Sequence, residues 1–263
     1  MTENKERQKE QKNAFWYDVK LISESHAGLT VNIAGFSLAM LLILPIFSEG
    51  SHTDFLREPK MINALLFFFT SLFFGILASI MYSVASGDNR SEISRVISFI
   101  GPSIAFGGSV PLLLLGFSYV LAAYLGEMYT VVRVIRVFII FTLWLSGFLI
   151  INTIDETLEF IQQKSFNRKK WYLNKNLIFT LFILSSIPAW LRVFQIRTFE
   201  PTTEFSERYF ITLLVLALMS LAYNMLYSYK EVDSNEFRKA SSIAIVMKLA
   251  FIVFVGFTLF VYV

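Results

Sequence analysis

The sequence predicts an all-α polytopic membrane bundle of about seven transmembrane helices, with the N-terminus inside and the C-terminus outside. Three observations predict it. Hydrophobic residues make up 55% of the 263 residues and charged residues only 16%, against roughly 25% charged in a soluble domain. The mean hydropathy is +0.58, and 28 phenylalanines exceed what one soluble core could bury. Finally, the apolar residues fall into segments of membrane-spanning length separated by short polar connections, with no domain-sized polar stretch between them.

A span needs ~20 predominantly apolar residues. Residues 28–48, 61–86, 102–124, 131–154, 176–196, 209–229 and 243–263 meet that requirement. Two domains follow: a cytoplasmic tail with an interfacial amphipathic helix over 1–27, and a seven-span transmembrane domain over 28–263. Phe15, Trp16 and Tyr17 ahead of the first span, and Trp171 and Tyr172 ahead of the fifth, are aromatic anchors of the kind found where membrane meets water. With the N-terminus inside, fifteen Lys and Arg residues fall on the inner side and seven on the outer, which is the sense that the positive-inside rule requires. The expected location is the cell membrane, as a multi-pass protein.

The stretch FIGPSIAFGGSVP over 99–111 crowds helix breakers into an apolar run. From Val96 to Tyr124 that run would measure ~43 Å as one helix, longer than a ~30 Å hydrocarbon core. Gly101-Pro102 is therefore read as a break. It separates a short amphipathic helix on the inner interface over 92–100 from a third span that begins at Pro102. Pro111 lies ~13 Å inside that span, where its ring removes one backbone bond and clashes with the Gly107 carbonyl. Ser185, Ser186 and Pro188 place a similar feature in the fifth span. Broken helices at matching depth point to a central site, because unsatisfied backbone at membrane depth needs protein or a water-lined cavity beside it. Gly107, Gly108, Ser109, Pro111, Ser185, Ser186 and Pro188 are thus a candidate pathway. The competing reading is that small residues simply let helices pack closely.

The remaining polar residues are read more plainly. Arg133 and Arg136, three apart at the outer end of the fourth span, are expected to anchor at the interface by extending their long side chains to water. Lys248 is expected to reach the inner interface in the same way from ~8–10 Å inside the seventh span. A lysine in a seventh span also raises a retinal Schiff-base reading, against which stands the lack of a carboxylate in the third. Asp155, Glu156 and Glu159 read as a solvated extension of the fourth span. Asn32, Asn63, Asn152, Tyr223 and Asn224 are expected to hydrogen-bond between helices. His26 and His52 fall on opposite sides and cannot share a metal. Arg168, Lys169 and Lys170 form a basic patch for anionic lipids at the inner interface, or for a docked partner.

Cysteine is absent, which excludes disulfides and thiolate chemistry. No HExxH or GxSxG motif and no internal repeat stands in the chain. No cofactor, metal or catalytic residue is expected, the balance lies against an enzyme, and no nucleic-acid partner is expected. The expected partners are the lipid bilayer and a second copy in a homo-oligomer. The favoured function is a channel- or transporter-like membrane protein with a central polar site between the third and fifth spans. Its rival is a non-transporting immunity, sensor or effector subunit acting through basic cytoplasmic loops.

Overall fold

In the computed structural model, residues 19–48, 58–87, 92–125, 130–164, 175–194, 203–228 and 234–263 are described. They form eight helices and no strand: α1 (Val19–Ser48), α2 (Pro59–Ala85), α3 (Glu92–Ser98), α4 (Ile100–Leu125), α5 (Thr130–Lys164), α6 (Lys175–Val193), α7 (Thr203–Ser228) and α8 (Ser234–Val261). Six stretches within them are long and apolar enough to cross a membrane. The apolar part of α6, Ile178–Val193, is shorter, ~24 Å against a hydrocarbon core of ~30 Å. The chain is an all-α polytopic membrane bundle, with six long apolar helices and one shorter.

The packing order follows from which helices can approach closely. In α4 the buried share of the apolar window is 67%, in α1 only 22%. α4 packs against α2, α5 and α7, and α2 also holds α1. The glycines of α4 make this centre possible, because they receive neighbours from α2, α5 and α7. A Cβ at Gly101 would sit 2.6 Å from the Ser220 carbonyl of α7. At Gly107 it would meet Ile150 of α5, at Gly108 the Phe74 ring and at Gly116 the Phe68 ring, all inside 3.0 Å. These glycines are notches for large side chains and backbone, the role that small residues play where no hydrophobic force separates helix from lipid. At the far end of α8, Tyr119, Arg192, Ser206 and Tyr209 from three other helices bond to Thr258, Val261 and Tyr262 and tie the bundle together.

Three expectations need revision. First, residues 19–27 are not a separate interfacial helix: α1 runs unbroken from Val19 into the first span. His26 consequently lies within the bundle, its ring 5.2 Å from that of Tyr82 and 5.1 Å from that of Phe106. Second, the break ahead of the third span falls at Phe99, not Gly101-Pro102. The Phe99 N–H still reaches the Arg95 carbonyl and the Ser103 N–H the Phe99 carbonyl, so only one residue departs from helix. Third, α3 is not an amphipathic helix with a free polar side. Ser94, Val96, Ile97 and Ser98 are all buried, because α7 reaches over them. Ser94 Oγ donates to the Tyr227 carbonyl at 2.5 Å, and Asn224 Nδ2 donates to the Ser98 carbonyl at 2.8 Å. The Ser98 carbonyl, whose i+4 residue Pro102 has no N–H to give, thereby gains a donor.

Candidate functional site

A membrane helix buries one stripe, and a charge that falls in phase with that stripe is carried inside. On α5, Ile139, Leu143, Ile150, Ile151, Ile154 and Leu158 are buried. Asp155 stands four residues beyond Ile151, on the same face. On α8 the buried stripe is Ala240, Ala244, Met247, Phe251 and Val255, and Lys248 stands four beyond Ala244 and three before Phe251. α5 packs against α8, so the two charges meet. Lys248 Nζ donates to Asp155 Oδ1 at 2.6 Å, with Lys248 only 2% exposed and Asp155 5%.

The depth is set by the helices. Lys248 lies ten residues beyond Arg238, where the membrane-length stretch of α8 begins, and Asp155 lies three residues before Leu158, where that of α5 ends. Lys248 nonetheless does not extend to water, because it is buried against Asp155, and Asp155 does not belong to a solvated extension, although Glu156 beside it is exposed. Both expectations measured distance to a span end and overlooked helical phase.

The pair is incompletely satisfied. Asp155 Oδ2 is buried and has no hydrogen-bond partner, and the same holds for Asn152 Oδ1 one turn earlier and for Thr157 Oγ1. A carboxylate offers about four lone-pair positions. In a low-dielectric interior an ion pair offsets its desolvation only when the remaining positions are bonded as well. This one has a free oxygen.

The candidate pathway residues divide into two groups around these helices. Gly107, Gly108, Ser109 and Pro111 are all buried in α4. The Gly107 notch is filled by Ile150 and Phe251, residues five before Asp155 and three after Lys248, so it adjoins both helices of the pair. Ser109 Oγ bonds the Phe106 carbonyl, and the Ser109 carbonyl accepts from Ser71 Oγ at 2.8 Å, which in turn joins Ser37 of α1 at 3.0 Å. A ladder of serines thus joins α1, α2 and α4 beside Pro111, on the Ser109 carbonyl rather than on the Gly107 carbonyl that the proline leaves without an N–H. Ser185, Ser186 and Pro188 lie in α6, which packs on α5 and α8. Ser186 Oγ bonds the Ile183 carbonyl, and Ser185 faces Gly256 of α8. The two groups sit on different sides of the α5–α8 pair. Neither lines the apolar groove of about 520 Å³ between α7 and α8, whose wall runs along Arg208, Thr212, Leu216 and Val253.

Other polar residues also depart from expectation. Arg136 is 7% exposed, covered by the bundle rather than extended along the lipid face. Of the five polar span residues, Asn224 makes a bond between helices, whereas Asn63 Oδ1, Asn152 Oδ1 and the Tyr223 hydroxyl are buried without partners. Asn32 is exposed. Arg168, Lys169, Lys170, His52 and the aromatic anchors at 15–17 and 171–172 lie outside the described residues. Among the described residues no group of three or more His, Asp or Glu side chains is placed to hold a metal. No protein-family model matches the chain, and no curated protein or solved structure is similar to it.

Proposed function

We propose that the chain is a transporter-like membrane protein whose working site is the Asp155–Lys248 pair. The observation that carries this reading is the 2.6 Å contact between two ionisable groups buried within the bundle on membrane-length helices. Ionisable groups buried within a membrane bundle are costly and characteristically serve ion or substrate pathways and relays. Stability is a weak reason to keep this pair, since well-packed apolar side chains of the same volume would hold the two helices as well or better. The free Asp155 oxygen gives a passing cation or polar group something to bond while Lys248 holds the other.

In this reading α4 is the moving wall. Its Gly107–Pro111 segment rests on Ile150 and Phe251, so straightening or tilting it opens a way to the pair. Ser185, Ser186 and Pro188 give α6 the same freedom on the other side of α8. The N-terminus is inside by the charge count, the membrane is the cell membrane, and Arg168, Lys169 and Lys170 hold its anionic inner leaflet.

The experiment is a charge-movement measurement on purified protein in liposomes adsorbed to a solid-supported membrane. Proton, sodium, potassium and chloride gradients are imposed in turn. Wild type should give a transient current with at least one ion, and the Asp155→Leu/Lys248→Met double variant none. Equal currents from both, or none from wild type with any of the four, would remove the pair from a transport role.

A further inference from the structure

A groove runs between α7 and α8 on the face that those helices turn to the lipid. Leu213, Leu216 and Phe254 line it and are buried, whereas Val215, Met219 and Val253 are 50%, 38% and 66% exposed at its edges. Its cause is local. At one end the two helices are drawn together: Tyr262 donates to Ser206 Oγ, and Tyr209 bonds Thr258 and stacks on Phe257 with ring centroids 5.1 Å apart. Farther along, Ala250 faces the gap with a single methyl group, and about 520 Å³ stays open.

The groove has the length of half a bilayer. Its lining on α7 runs from Arg208 to Met219, eleven residues or ~16 Å. On α8 it reaches in as far as Ala250, eleven residues from the end of the apolar stretch at Val261. Both lengths match one leaflet of a ~30 Å hydrocarbon core. Spread over ~16 Å, the open volume corresponds to a passage roughly 6 Å across. An α-helix with its side chains is ~10–12 Å across, and a transmembrane one crosses both leaflets. A helix from a second copy or a partner therefore matches neither the width nor the length. An extended hydrocarbon chain matches both.

Charge names the headgroup. Apart from Tyr209, whose hydroxyl is bonded inward to Thr258, the polar lining is Arg208 and Thr212, together at one end. The Thr212 hydroxyl is turned to the Arg208 carbonyl, which leaves the guanidinium as the group that meets a ligand. Arg208 lies two residues inside Ser206, where the apolar stretch of α7 begins, within reach of the headgroup layer. Its fixed charge and planar fork of donors suit a phosphate. Glu207 is the adjacent carboxylate, but it does not line the groove, since sequence neighbours leave a helix ~100° apart. Bulk lipid is as apolar as the groove, so the chain alone gives little preference and the headgroup has to supply it.

We infer that the α7–α8 groove is a binding site for one anionic phospholipid, with an acyl chain between the helices and the phosphate on Arg208. This inference does not rest on the transport reading.

The test uses the full chain in phosphatidylcholine liposomes carrying a trace of lipid with a diazirine in mid-chain. The probe is phosphatidylglycerol in one sample and phosphatidylcholine in the other, and labelled residues are mapped by mass spectrometry. Val253 reports on the groove. Leu38 of α1 is the reference, because it is also exposed and also eight residues from the end of its apolar stretch, at Ile46. The ratio of anionic to zwitterionic labelling should be about five-fold higher at Val253 than at Leu38, the preference that one interfacial arginine supplies. Arg208→Gln, at an exposed position, should bring the Val253 ratio down to that of Leu38. Ala250→Phe, which fills the groove and leaves the charge in place, should do the same. Equal ratios at the two sites in wild type would mean bulk lipid only and would overturn the proposal. A preference that survives either substitution, or a groove that neither probe labels, overturns it as well.

Discussion

Removing one charge from the Asp155–Lys248 pair should damage the protein far more than removing both. At an effective dielectric constant near 20, the attraction between the two charge centres is roughly 5 kcal/mol. Burying each ion costs several kcal/mol, so the pair as a whole contributes little net stability. Lys248→Met leaves the Asp155 carboxylate buried with neither oxygen paired, since Oδ2 already has no partner. The expected cost is about 3–5 kcal/mol, and Asp155→Leu, which strands the ammonium, should cost a similar amount. A shift of about 2–4 °C per kcal/mol for a chain of this size puts each single variant on the order of 10 °C below wild type. Asp155→Leu/Lys248→Met should return to within a few degrees of wild type, because two apolar side chains fill the space and no charge is buried. The assay is a double-mutant cycle in thermal unfolding of detergent-solubilised protein, read by intrinsic fluorescence or by the monodisperse fraction after heating. Additive losses, with the double variant as poor as the sum of the singles, would refute a direct interaction between the two side chains. A double variant that is stable and also carries no current separates a working site from a structural clasp.

Gly101→Ala should lower stability by about 1–3 kcal/mol, read as a fall in the same melting temperature. Its Cβ would press on the Ser220 carbonyl, backbone that cannot rotate away; an unchanged melting temperature would mean that α4 and α7 do not approach this closely. A fluorescent reporter active only in the cytoplasm should light when inserted after Lys12 and stay dark when fused after Val263. A bright C-terminal fusion would show that the short α6 does not cross and that the spans number six.

The features legible in the sequence were those that depend on composition and length alone. Six long apolar helices needed only counting. The notched packing of α4 was visible as a glycine cluster, but composition could not say that Phe74, Phe68, Ile150 and the α7 backbone fill the notches. The ion pair was half legible. Lys248 is in phase with Ala244, Phe251 and Val255, and Asp155 with Ile151 and Leu158, so both could have been placed indoors from periodicity. That they meet is a tertiary fact, joining residues 93 apart in sequence. The position of α3 was misread because ISRVIS has an amphipathic rhythm, whereas α7 covers its polar side as well, through the bonds at Ser94 and Ser98.

The unsatisfied polar atoms beside the pair are enclosed, and that enclosure bears on how the protein could work. Asp155 Oδ2 and Asn152 Oδ1 are enclosed between α5 and its neighbours, so their missing partner must be small enough to enter or must be supplied by a helix movement. α2 packs on α1 at Gly75, and its Phe74 and Phe68 rings fill the α4 notches at Gly108 and Gly116. In the transport reading α1 and α2 would thus be the static wall, and α4, whose glycines receive the α2 rings, would move against that wall and toward the pair.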